Sequence, residues 1–133
     1  MKANELMIGD WVKFPIGNEK VIDLPYIEGR GICASFAASA TLFPVEIEKL
    51  EPIPLTAEIL EKNGFDVTDS EVAQYHFEED GQKMHFSLRK MYDKHGKHNG
   101  YSFWAFNILP LVIYVHELQH ALKLCGIDKE ITV

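Results

Sequence analysis

Cysteine is nearly absent: Cys33 and Cys125 are the only two in 133 residues. They stand far apart and in no C-x-x-C pair, which removes the close thiol pairs of metal and redox motifs. Two reduced, mostly buried thiols are the expectation, with a disulfide between them left open. Positive charge is also short. Thirteen Lys and Arg face twenty Asp and Glu, a net charge of −7 with a pI near 5.3. The deficit is not local: residues 1–63 carry 6 basic and 10 acidic groups and residues 64–133 carry 7 and 10. Neither half forms a basic face by composition, so tight non-specific nucleic-acid binding is not expected.

Long apolar runs are missing too. No stretch nears the 18 or so residues of a membrane helix, and Ile108 to Val115 is too short to span a bilayer. The opening Met1-Lys2-Ala3-Asn4-Glu5 lacks the apolar run of a signal peptide. A soluble, cytoplasmic protein without membrane contact is the expectation. No serine sits in G-x-S-x-G, and Gly29-Arg30-Gly31 lacks the spaced lysine of a phosphate loop. No internal repeat or low-complexity segment is visible.

What is present is enough apolar matter for a core, 47% of residues, in a length that fits one domain or two very small modules. Gly9-Asp10 reads as a turn before a strand at Trp11 to Phe14, with Val12 and Phe14 on one side and Trp11 and Lys13 on the other. Lys20 to Leu24 is a second strand. Ile32 to Ala38 is apolar and small, a strand or a short helix. Thr41 to Leu50 reads as one or two strands. Glu51 to Thr56 is a proline-stiffened connector. Thr56 is an N-cap for Ala57 to Asn63, Gly64 a C′ residue, and Leu55 can staple onto Leu60. Glu71 to Glu78, Lys83 to Tyr92 and Tyr101 to Asn107 alternate as an antiparallel meander, with a hairpin turn at Asp80-Gly81 and a looser one at Lys94 to Gly100. Leu109 to Tyr114 is a further strand, and Val115 to Cys125 has helical spacing and stops at Gly126.

One stretch names a chemistry. His116-Glu117-Leu118-Gln119-His120 fits H-E-x-x-H, where two histidines one helical turn apart hold zinc and the glutamate activates water. A random chain of this composition shows the pattern about 3 times in 100. At about 100° per residue, Leu118, Leu122, Ala121, Val115 and Cys125 form one apolar stripe, and His116 and His120 fall near its opposite side with Lys123 beside His116. Both imidazoles are therefore expected to face water. The long metalloprotease pattern fails, since it needs Gly and His where this chain has Lys123 and Gly126, which leaves a third zinc ligand only to an upstream histidine such as His76, His85, His95 or His98. An exposed last helix is favoured over a metal site.

Other candidates are weaker. His95 and His98 lie on a predicted polar turn. Trp11, Tyr26, Tyr101, Phe103 and Trp104 offer ligand-stacking rings, though core packing suits most of them better. Glu78-Glu79-Asp80 reads as a solvated turn.

Three collinear blocks carry a resemblance. Lys2-Ala3-Asn4-Glu5-Leu6 with Ile8-Gly9-Asp10-Trp11-Val12, then Ile47 to Thr56 continuing through Ile59-Leu60 to Asn63-Gly64-Phe65, then Tyr114 to Gln119 with Ala121-Leu122 and Gly126, together resemble a family of short proteins. That family is found in Bacteroidetes gut bacteria, their phages and mobile elements. The resemblance implies no established activity. Its end block reads V-H-x-L-Q-N, so His120 stands where the family has Asn, and His116 and Gln119 are the matched polar positions. The Gly-Asp-Trp-Val opening also looks like the start of SH3-like small barrels.

The expected fold is α+β: a small SH3-like curled β module over residues 1–54, then a short helix, an antiparallel meander and a C-terminal helix over 55–133, packed as one compact unit. The expected function is that of a non-enzymatic accessory or adaptor protein of a mobile element or prophage, without cofactor, acting on an unknown protein partner. Its candidate binding residues are Trp11, Tyr101, Phe103, His116 and Gln119. The first alternative is a zinc-dependent hydrolase with His116 and His120 on the metal and Glu117 as base. The second is a small-ligand binder using the aromatic strand.

Overall fold

The computed structural model describes residues 1–37, 43–104 and 111–133. Among the described residues the protein is α+β, two α-helices with antiparallel strands in two open sheets, neither closed into a barrel. The chain forms two compact units, Met1–Ile53 and Pro54–Val133.

In the first unit, strands β1 (Trp11–Phe14), β2 (Gly17–Asp23), β3 (Tyr26–Ile27), β4 (Gly31–Phe36), β5 (Val45–Glu46) and β6 (Glu51–Pro52) make one sheet. A turn before β1 starts it. Gly9 takes φ 97°, and the Asp10 carboxylate accepts the Met7 N–H at 2.7 Å while the Asp10 backbone oxygen accepts from Val21. Asp10 is fully buried, and its side chain helps organise this turn. Val12, Val21, Ala34, Phe36, Val45, Ile47 and Leu50 fill the core, with Leu6 closing over them. Of the small apolar segment that read as a strand or a short helix, Gly31–Phe36 is a strand, and residues 38–40 lie outside the described residues. Thr41 to Leu50 departs from the expected strands: after β5, Ile47–Lys49 is a 3-10 turn that buries Ile47 and Leu50 on the same side. Residues 41 and 42 of that segment lie outside the described residues. The expected connector begins as a strand, since Glu51 and Pro52 pair with Lys13 and Val12. Pro52 can do so because β6 is an edge.

In the second unit, α1 (Ala57–Lys62) begins where expected: the Thr56 hydroxyl accepts the Ile59 N–H at 3.3 Å, and Gly64 at φ 83° reverses the chain. Leu55, Leu60 and Phe65 are buried around it. Strands β7 (Val72–Glu79), β8 (Gln82–Tyr92), β9 (His98–Trp104) and β10 (Leu111–Val112) form an antiparallel sheet in the order β10-β9-β8-β7. Asp80 and Gly81 both take positive φ, 49° and 76°, the pair needed by a two-residue hairpin. One sheet face is packed: Phe65, Tyr75, Phe86 and Phe103 stand at ring separations of 5.2 to 5.5 Å. The expectations for Ala105 to Asn107 and for Leu109 and Pro110 fall outside the described residues. Helix α2 (Val115–Leu124) follows, stopped by Gly126 at φ 69°. Among the described residues, no helix is long and apolar enough to cross a membrane. Cys33 and Cys125 are free thiols, and burial pushes the Cys125 thiol up from its ordinary value.

Candidate functional site

The H-E-x-x-H segment occupies the first turn and a half of α2. The chain enters the helix held by the Pro54–Leu55 segment: Leu55 donates to the Ile113 oxygen at 2.9 Å, and Pro54 bridges Tyr114. Two backbone N–H groups in this approach meet one carboxylate. Glu117 Oε2 accepts from Ile113 at 2.7 Å and from Tyr114 at 3.0 Å. A glutamate at the third helical position that reaches back to the cap is one half of a capping box, and its charge also suits the positive end of the helix. The group that would serve as base in a zinc hydrolase is therefore the group that fastens this helix.

The two histidines differ in environment. His120 is half-buried, but His116 is 5% exposed and Gln119 9%. The expectation that both imidazoles look into water fails at His116. The reason is local: the Tyr114 ring stacks on His116 at 5.8 Å with planes 8° apart. Helix α2 also buries Val115, His116, Leu118, Gln119, Ala121 and Leu122, an arc wider than the apolar stripe. The His116 and His120 rings lie edge to face at 5.7 Å. Among the described residues, no three His, Cys, Asp or Glu side chains gather into a group able to hold a metal ion.

The aromatic candidates separate by strand phase. Tyr101 and Phe103 point into the packed side of the sheet, 3% and 0% exposed. Beside Tyr101 is a cavity of about 60 Å³ lined by Leu60, Val67, Ala73 and Lys90, the room of a water molecule or two. Trp11 is half-buried in β1 of the other unit. Trp104, one step along from Phe103, faces the opposite side and is half exposed. It borders a shallow depression of about 190 Å³ with Val72, Ser87 and Arg89. The register explains the grouping: Arg89 stands opposite both Val72 and Ser102, and Ser87 opposite both Gln74 and Trp104. Arg89 is exposed and enters no ion pair among the described residues.

So the structure places Tyr101, Phe103, His116 and Gln119 in interior or near-interior positions and brings Trp104 and Arg89 together on a surface. Arg89 escaped the sequence reading. The signal was available, because alternation that buries Leu88 and Phe103 must present their neighbours outward. No protein-family model matches the chain, and no curated protein or solved structure is significantly similar to it.

Proposed function

We propose that this chain is a non-enzymatic binding protein, and that it engages a protein partner through the outer face of the four-stranded sheet. The observation that carries this reading is Trp104, a large ring left half exposed beside the Arg89 guanidinium. Trp and Arg are the residue types that most often dominate protein interfaces, and an exposed apolar patch beside an unmatched cation asks for a complementary surface. Met91 and Leu111 extend the same face, 40% and 49% exposed. The chemistry selects a partner segment that sets an acidic side chain against Arg89 and an apolar one against Trp104 and Val72.

The resemblance of three collinear blocks supports a setting in a bacterial mobile element or prophage, as an accessory or adaptor protein in the cytoplasm. The first unit, a small antiparallel sheet opening on Gly-Asp-Trp-Val, is of the SH3-like class in this reading, and no cofactor takes part. Against a zinc hydrolase using His116, Glu117 and His120 weighs the engagement of Glu117 by two backbone donors. Against a small-ligand site at Tyr101 and Phe103 weighs their packing.

The test is capture of partners from an extract of cells that carry the gene, by the wild-type chain and by Arg89→Glu and Trp104→Ala variants of unchanged melting temperature. A protein held by the wild type and released by both variants supports the reading. Equal capture by all three, or none by any, contradicts it.

A further inference from the structure

We propose that His76 and His85 form a two-imidazole chelate for a divalent transition metal on the outer face of the sheet, independently of any partner. The two residues are direct partners across β7 and β8. Their ring centroids lie 5.7 Å apart with planes inclined by 39°.

The backbone shows which kind of pair they make. Gln74 turns both its N–H and its oxygen away from β8 to Asp66, at 2.9 and 2.7 Å. Residues two apart on a strand share this direction, so His76 also turns its backbone groups away from β8. His76 and His85 are therefore a non-hydrogen-bonded pair, the kind in which opposite side chains come closest. The hairpin leads to the same result. A two-residue turn at Asp80-Gly81 makes Glu79 and Gln82 the hydrogen-bonded closing pair, and three rungs on, His76–His85 falls in the opposite phase.

The chemistry follows from this placement. Metal–imidazole bonds of about 2.0–2.1 Å hold two ring centroids roughly 4.5–5.5 Å apart at tetragonal to tetrahedral angles. The observed centroid spacing of 5.7 Å lies just beyond that range. Both side chains are exposed, and neither imidazole enters a hydrogen bond or ion pair among the described residues. No bond has to be broken to present both nitrogens. The other histidines are less suited. His116 is buried against Tyr114, and His98 sets Nδ1 at 3.2 Å from the Met91 oxygen. Two neutral imidazoles with open positions for water favour Cu²⁺ over Ni²⁺ and Zn²⁺. Glu78 on β7 adds a nearby negative charge, while Lys83 opposite it holds the site to modest affinity.

The experiment is calorimetric titration of the untagged full chain with Cu²⁺ near pH 7, together with the copper electron-paramagnetic spectrum. It compares wild type, His76→Ala, His85→Ala and a His95→Ala/His98→Ala control, each checked for an unchanged metal-free melting temperature. The expected result is one site with nitrogen ligation, weakened about tenfold or more by either single substitution and retained in the control. Absence of a site, a site unaffected by either single substitution, or one lost only in the control overturns the proposal.

Discussion

Asn63 and Thr132 hold each other across 69 residues of chain: Asn63 Nδ2 donates to the Thr132 oxygen at 2.7 Å, and Thr132 N donates back to Asn63 Oδ1 at 2.8 Å. The same amide nitrogen also donates to the Ile59 oxygen at the end of α1. One side chain at the C-cap thus closes a helix and pins the tail whose Ile131 is buried. Asn63 itself is 6% exposed, so truncation leaves donors and acceptors without partners in a place water reaches poorly. Asn63→Ala is expected to lower unfolding free energy by about 2–3 kcal/mol, read by urea denaturation. A loss under about 0.5 kcal/mol would show the clamp to be idle.

Gly100 makes a second, steric prediction. It takes φ 142°, and an added Cβ would sit 3.0 Å from Ile113 Cγ1 and 3.0 Å from the Val112 oxygen. The second contact is backbone, which cannot swing aside. Gly100→Ala is expected to cost about 2 kcal/mol or more by combined strain and overpacking. The same substitution at Gly96, also at positive φ but with nothing within 4 Å, bears only the strain. Thermal melts of the two variants check the ranking, and equal losses would refute it.

Acid should weaken the first unit through Glu46. Lys49 hydrogen-bonded at 2.7 Å, then Arg30 at 3.0 Å, hold its carboxyl below the ordinary value of 4.5. A carboxylate with a depressed folded value stabilises the native state above the unfolded value, and that contribution disappears as pH falls through the folded one. Wild type is therefore expected to exceed Glu46→Gln in melting temperature at pH 6 by a margin that shrinks below about pH 4.5. A margin constant from pH 6 to pH 3 would contradict this.

Much of the second unit was legible because its signals are local. Thr56, Gly64 and Asp80-Gly81 each dictate a backbone conformation from one or two residues, and those turns and caps stand where the residues put them. The first unit was less legible at Ile47–Lys49. Val45 and Ile47 alternate like a strand, yet Ile47 and Leu50 reach the core from a tight 3-10 turn, a spacing that alternation hides. The pairing of Pro52 with Val12 was invisible because it joins residues distant in sequence. At His116 a helical wheel failed, since the wheel knows only the helix's own residues, whereas the first turn is covered by Tyr114 from outside it. The His76–His85 rung was readable in principle: a two-residue turn fixes every partner along the hairpin.

The surface around Trp104 should matter little for folding. Trp104→Ala and Arg89→Glu are expected to change stability by about 0.5 kcal/mol or less, as exposed substitutions do, in chemical denaturation. A loss above about 2 kcal/mol in either would move that residue from the interface account to the core.

Equilibrium unfolding of Glu117→Ala and Glu117→Gln distinguishes a carboxylate that fastens a helix from one that activates water. Ala is expected to lower stability by about 1–2 kcal/mol and Gln to recover most of it, because an amide oxygen still accepts from Ile113 and Tyr114. Unchanged or increased stability in both variants, with a zinc-dependent hydrolysis present in the wild type and abolished in each, would contradict the fastening role.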